Sequence, residues 1–245
     1  MATENAAGQA AKSPIAEHIV GNWGGYEVHL DTILNTWLVM GLILLVGFLL
    51  TRSLTPVPNR KQTVVEGVVE FSLGIVRDQI GPQTAKYLPY IGSLFIFILV
   101  SNWLSMLPWQ AWEGFHLPWF VGHGYHAPTA DINTTAGLAL LSFGAYFFFG
   151  IQKKGLKYFK HYLQPMPWLL PFVVLEDLTR PLSLALRLFA NVTAGHVVIA
   201  VLLMLVPALV PIPIMGLDLF IGAIQAYIFA VLSASYIGAA VQEAH

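Results

Sequence analysis

The stretch that most constrains the fold is residues 181–206, which is apolar along its length but carries Arg187 near its middle. A helix of this length spans about 39 Å, more than the ~30 Å hydrocarbon core of a bilayer, so it has to cross at a tilt. An arginine keeps its charge at any accessible pH, and insertion at a membrane-helix centre costs ~2.5–3.5 kcal/mol. Arg187 is therefore either paired inside the protein or placed to meet an anion that comes and goes.

The composition of the chain indicates an integral membrane protein. Of its 245 residues 56% are hydrophobic and only 10% are charged, whereas soluble domains are about a quarter charged. There is no cysteine, and the net charge of −1 argues against a nucleic-acid partner. His116, His123 and His126 share one loop, but no cysteine or acid completes a ligand set around them. We therefore expect an all-α integral membrane protein without a metal or another cofactor.

The hydropathy pattern predicts five membrane helices in one domain, residues 33–245, after an extramembrane tail at 1–32. The last two helices are long, tilted and antiparallel. Apolar and charged residues alternate at helical spacing over 63–86, which predicts an amphipathic helix at the membrane interface. The five predicted spans are 33–50, 88–107, 134–150, 168–206 and 214–241.

Basic residues predict the orientation. Five lysines and arginines lie in 52–87 and four in 152–160, but none lies in the loop 108–133. The positive-inside rule then puts both basic segments in the cytoplasm, with the N-terminus outside and the C-terminus inside. No internal repeat is visible, which weighs against a secondary transporter.

Polar residues concentrate on the last two predicted spans. Arg187, Asn191 and His196 lie on the first, and Asp218 and Gln225 on the second. One antiparallel register brings Arg187 level with Gln225 and His196 level with Asp218. An imidazole and a carboxylate together can pass a proton, although a purely structural hydrogen bond is the alternative. The last span also carries small residues at every fourth position, read as helix packing: Gly222, Ala226, Ala230, Ala234 and Gly238.

Four strings in these regions resemble subunit a of the F-type ATP synthases, the stator half of the proton channel. They are PLSLALRLFANVTAGH, DLFIGAIQAYIF, PTADINTTAGLAL and FILVSNWLSMLP. The resemblance covers nearly the whole chain after residue 30. It implies that Arg187 is the essential arginine facing the carboxylate of the rotating c-ring, accompanied by Asn191 and Gln225. Many relatives have an acid at His196 and a histidine at Asp218, so the pair is exchanged here.

The resemblance implies a non-catalytic, proton-translocating subunit that offers two half-channels to the c-ring. Its implied partners are the c-ring, b-type peripheral stalk subunits, the rest of the ATP synthase and the lipid bilayer. His196 and Asp218 would line the outer half-channel, and Glu176 would lie toward the inner one. Asn102 and Asp131 are candidates for the channel mouth, against the alternatives of a packing hydrogen bond and a helix cap.

Several alternatives stay open at this point. A stand-alone proton-coupled secondary transporter and a structural membrane scaffold are the competing functions. For Glu176, a solvated helix-end cluster with Asp177 and Arg180 is the alternative to a proton path. We expect H⁺ as the coupling ion, with Na⁺ as the alternative. The expected location is the bacterial inner membrane, with the thylakoid and mitochondrial inner membranes as alternatives.

Overall fold

The structure is a computed structural model that describes residues 20–23, 26–52, 55, 59–81, 84–106, 127–155, 168, 170–205 and 211–241. Its first element is a β-hairpin in which β1 (Val20–Trp23) pairs antiparallel with β2 (Tyr26–His29). The hairpin lies in the segment 1–32, which the sequence predicts to be an extramembrane tail. The hairpin leads directly into the first helix. The predicted histidine loop around His116 lies outside the described residues.

Among the residues that the structure describes, five helices are long and apolar enough to cross a membrane, which agrees with the predicted number. The last of them begins at Pro211, three residues before the predicted start. Proline fits a first helical turn because the N–H that it lacks has no partner there. The five helices are α1 (Leu30–Thr51), α3 (Thr84–Ser105), α4 (Ile132–Lys154), α5 (Leu170–Leu205) and α6 (Pro211–Val241).

The remaining helix, α2 (Arg60–Ile80), is the predicted amphipathic one and is not among the candidate spans. Asn59 caps its start, where the side chain accepts a 2.8 Å hydrogen bond from the Arg60 N–H. Gly81 ends it with a φ of 89°, a backbone conformation that favours glycine. One face packs against α3 and α6 while charged residues stay exposed. The buried residues of α2 are Ser72, Ile75, Val76 and Ile80.

Asp131 caps the start of α4, after a single 3₁₀ turn at Pro128–Ala130. Its carboxylate accepts a 2.8 Å hydrogen bond from the Asn133 N–H, which satisfies a backbone donor that the helix leaves without a partner. This confirms the helix-cap interpretation of Asp131. At the other end, Lys153 and Lys154 lie in the last turn, where a positive charge is favourable to the helix dipole.

Helix α6 lies at the centre of the bundle and packs against α2, α3, α4 and α5. Its small-residue ladder makes these close approaches possible. A Cβ built on Gly238 would meet the Gln79 carbonyl oxygen of α2, and one built on Gly222 would lie 3.2 Å from the Asn102 Cβ of α3. Ala226, Ala230 and Ala234 are fully buried. The interpretation of the ladder as helix packing is therefore confirmed.

Helices α5 and α6 run antiparallel, as predicted, and have 36 and 31 residues. At about 1.5 Å per residue both exceed the ~30 Å hydrocarbon core, so they tilt, bend or project. We call the end where α5 begins and α6 ends the basic end, because Lys86, Lys153, Lys154 and Arg180 cluster there. The opposite end, which holds Asp131 and Asp218, is the far end.

Candidate functional site

Arg187 lies on an exposed face of α5, although it is inside a candidate membrane span. Leu182 and Leu186 on the same face are 57% and 47% exposed. Within the described ranges, no carboxylate lies within ion-pair distance of Arg187. A guanidinium that faces hydrocarbon is costly, so an anionic partner outside this chain is expected. This geometry disfavours the alternative in which Arg187 forms a structural ion pair within the subunit.

A hydrogen bond joins α5 to α6 one turn beyond Arg187. The Asn191 Nδ2 donates to the Gln225 Oε1 at 3.0 Å, and Gln225 is only 2% exposed. The predicted register is close, but Asn191 and not Arg187 meets Gln225. Asn191 lies one turn after Arg187 and is exposed as well, but its amide reaches Gln225 on α6. Amide hydrogen bonds of this kind hold membrane helices together.

A small cavity lies beside this amide pair, and we call it the far cavity. The space open to the centre of a water molecule is about 10 Å³, which is room for about one water. Gln225 Nε2 is buried without a hydrogen-bond partner among the described residues, so a water there would satisfy it. The lining residues are Asn102, Ser105, Met106, Asn191, Val192, Asp218, Ile221, Gly222 and Gln225.

Asp218 brings a carboxylate to the far cavity. Its side chain packs directly on the backbone of Gly195, because a Cβ built there would lie 2.6 Å from the carboxyl carbon. His196 follows Gly195 on α5 and is half-buried. The structure therefore places Asp218 against the part of α5 that carries His196, as the antiparallel register predicted.

Further side-chain hydrogen bonds lie between the far cavity and the start of α4. Asn102 is 3% exposed; its Nδ2 donates to the Gly222 carbonyl at 3.1 Å, and its Oδ1 accepts from the Thr129 hydroxyl at 2.8 Å. In a separate bond, the Thr32 hydroxyl of α1 donates to the Asp131 carboxylate at 2.9 Å. The packing interpretation of Asn102 is confirmed, but the residue also lines the cavity. Thr129 had no role in the sequence analysis.

A second cavity of the same size lies toward the basic end, and we call it the basic cavity. Arg180 forms ion pairs with Asp177 at 3.2 Å and Glu176 at 2.7 Å. The Asp177 side chain is 8% exposed and lines the cavity, whereas that of Glu176 is 66% exposed and does not. The lining residues are Ala139, Ser142, Phe143, Tyr146, Asp177, Arg180, Pro181, Leu184 and Tyr236.

Two further contacts join the helices around the basic cavity. The guanidinium carbon of Arg180 lies 5.3 Å from the ring centre of Tyr236 on α6, within the range of a cation–π interaction. The Ser142 hydroxyl donates to the Ser233 hydroxyl at 2.8 Å, and both residues are buried. Tyr236 and the two serines were not predicted as site residues. In the sequence, each stands out only as a polar residue within an apolar helix.

Arg187 lies between the two cavities along α5. Leu184 lines the basic cavity three residues before it, and Asn191 lines the far cavity four residues after it. These residues are only about 4.5 Å and 6 Å along the axis from Arg187, at 1.5 Å rise per residue. The fold and site thus define a class: helical membrane proteins that keep ionisable side chains inside the membrane, the usual mark of an ion pathway.

Comparison with known proteins narrows the class. The family described as ATP synthase A chain matches residues 33–238. The protein named ATP synthase subunit a, chloroplastic, from Stigeoclonium helveticum is 46% identical over 233 residues, which cover 94% of this chain and 92% of that protein. The chain belongs to the ATP synthase subunit a family. It is therefore a multi-pass, ion-translocating component of an ATP synthase and not its catalytic subunit.

Proposed function

We propose that this subunit provides two half-channels through which protons reach and leave a rotating ring of small subunits. The observation that carries the proposal is Arg187, exposed within a membrane span and placed between two polar cavities. A stand-alone transporter would need a substrate cavity within the described bundle. The far cavity and the basic cavity each have room for about one water.

Arg187 acts through its permanent charge. A ring carboxylate must be neutral to face lipid and charged to exchange its proton. When it approaches Arg187, the fixed cation stabilises the charged form and the proton leaves. The same cation repels a proton that would otherwise pass from one cavity to the other. Coupling therefore depends on Arg187 remaining charged and exposed toward the ring.

On the far side, the proton path passes through the far cavity. Asp218 and His196 supply the groups that exchange protons, and the Asn191–Gln225 pair holds α5 and α6 at the cavity wall. Asn102 orients one wall through the Gly222 carbonyl. Asp131 lies farther from the ring, bonded to Thr32, and belongs to the channel mouth.

On the basic side, the path passes the basic cavity and the Arg180 cluster. Glu176 was the sequence candidate for this side, and its exposure suits the outermost position, where protons reach water. Asp177 is the carboxylate that lines the cavity, so it takes the inner position.

The ring contacts the exposed face around Arg187. Leu182, Leu186, Val197 and Val198 on α5 and Ile224 on α6 are each between 40% and 57% exposed. This face is mostly apolar, and its polar residues include Arg187, Asn191 and Ser183. The b-type stalk subunits and the rest of the complex cover other surfaces.

The positive-inside rule supports an orientation with the basic end in the cytoplasm or the equivalent compartment. Single cysteines at Lys153 and Asn133, at opposite ends of α4, should then react with an impermeant thiol reagent from opposite sides of sealed vesicles. Reaction from the same side would contradict this orientation. The chloroplast relative favours a thylakoid membrane, the alternative to the bacterial inner membrane, and the coupling ion we propose is H⁺.

Arg187→Ala tests the proposed function in membranes that contain the whole ATP synthase. We expect normal amounts of assembled complex, no ATP synthesis from a proton gradient, and a passive proton leak because the barrier between the cavities is gone. Ser183→Ala, one turn away on the same exposed face, is the matched control and should make ATP normally. Assembled Arg187→Ala complex that still makes ATP would overturn the proposal.

A further inference from the structure

A single carbon added to Gly195 on α5 would push the Asp218 side chain from its place. The three atoms nearest to a Cβ built on Gly195 all belong to the Asp218 carboxyl group. At Gly238, by contrast, the nearest atoms are backbone atoms of α2. Gly238 therefore serves the approach of two helices, whereas Gly195 makes room for one carboxylate.

Local preferences alone would not select glycine here. Position 195 lies within an α-helix, where alanine is the more favourable residue. No positive φ angle occurs on α5, so the backbone does not require glycine either. The remaining reason is the space that Asp218 occupies.

The alternative positions for this carboxylate are poor. Asp218 lies between Leu217 and Leu219 on α6, and Leu217 and Phe220 are 54% and 64% exposed. A carboxylate that rotated away from α5 would turn toward this apolar surface, where a charge is costly. Against Gly195 it stays between the helices and at the wall of the far cavity.

We propose that Gly195 is a positioning residue: its missing side chain forms a notch that holds the Asp218 carboxylate at the far cavity. The role of that carboxylate in proton transfer rests on the proposed function, but the notch itself does not. The notch also restricts position 218 to a short acid, since a glutamate would carry its oxygens past Gly195.

The test is Gly195→Ala in the whole complex, with Gly216→Ala as the matched control. A Cβ on Gly216, two residues from Asp218, meets nothing within 4 Å. The carboxylate, as the end of a flexible side chain, moves while the helices stay. We expect ATP-driven proton pumping to fall at least about tenfold, as misplacement of a reacting group does. The pH profile of pumping should also move, because the carboxylate meets new surroundings.

Each result decides the proposal. Normal pumping by Gly195→Ala would overturn it, and so would reduced pumping with an unmoved pH profile, which indicates packing alone. The melting temperature of the purified complex gives a readout that does not depend on proton flux. Gly195→Ala should lower it in the wild-type background but not in an Asp218→Ala background, because the two residues interact directly. Equal losses in both backgrounds would overturn the notch.

A failure to assemble is also informative. If Gly195→Ala alone prevents assembly, the double variant Gly195→Ala with Asp218→Ala should assemble, because the obstructing carboxylate is gone. A double variant that also fails would overturn the proposal. The melting-temperature comparison stands even if Arg187→Ala retains ATP synthesis, so failure of the notch and failure of the proposed function are distinguishable.

Discussion

The two cavities have the same size but different chemistry. The far cavity is lined by three amides, one hydroxyl and several apolar residues, and its one carboxylate, Asp218, packs on the backbone of Gly195. The basic cavity holds Asp177 in an ion pair with Arg180, which rests on the ring of Tyr236. The far cavity thus places its carboxylate among neutral groups, whereas the basic cavity places its carboxylate beside a fixed cation.

The largest effect is expected where the two cavities are separated. Arg187→Lys should abolish ATP-driven proton pumping while the complex still assembles. Lysine is a compact ammonium that can lose its charge in an apolar site, whereas arginine cannot. Pumping is measured by quenching of a pH-sensitive dye in vesicles, and the amount of complex by immunoblot. Pumping near the wild-type rate would show that the separation does not depend on a guanidinium.

A large effect is also expected from His196 and Asp218, the pair that we propose exchanges protons on the far side. His196→Asp and Asp218→His singly should each lower proton pumping by about a hundredfold, as loss of a positioned acid or base does. The two changes together should retain more pumping than either alone, because an imidazole and a carboxylate are again opposed. A double variant no better than the worse single one would show that the residues do not act as a pair.

An intermediate effect is expected at the amide bridge. Asn191→Leu leaves the buried Gln225 amide without its donor, which costs about 1–3 kcal/mol. Replacing both residues with leucine should cost less than the sum of the single changes. The melting temperature of the purified complex measures this coupling. Additive losses would indicate that the hydrogen bond contributes nothing to the packing of α5 on α6.

The smallest effects are expected in the basic cavity. Asp177→Asn should lower pumping several-fold, because it removes the carboxylate inside the cavity, whereas Glu176→Gln removes an exposed charge whose ion pair is worth only ~0–1 kcal/mol. Initial pumping rates at matched complex levels distinguish the two. If Glu176→Gln is the more damaging change, the release path runs along the exposed side of α5 and not through the cavity.

The helices followed from the sequence because their signal is local. Apolar runs of membrane-spanning length identify the five spans, and alternating charge identifies α2. The register of α5 on α6 was also predictable within one turn, because Arg187, Asn191, Asp218 and Gln225 are few and must face protein or an ion. The pairing of individual side chains was not. Asn191 and not Arg187 meets Gln225, because α5 is displaced by about one turn along α6 relative to the predicted register.

Contacts between distant segments were beyond the sequence. The bonds from Thr129 to Asn102 and from Thr32 to Asp131 join residues 27 and 99 positions apart. Nothing in the local pattern marks a threonine as the partner of a particular amide. Gly195 shows the same limit, because a glycine in a helix gives no sign of what fills its space. The hairpin at Val20–His29 was missed because its two strands are short and lie within a mixed polar segment.

The contact of Gly238 with the Gln79 carbonyl has a mechanical consequence. A stator has to stand still while a rotor pushes on it, and here the push would fall on the exposed side of α5 and α6. At this point α6 leans on the main chain of α2, and main-chain atoms in a packed interior cannot swing aside as a long side chain can. Gly238 therefore gives a rigid contact between α6 and α2, which is what we expect of a subunit that has to resist torque.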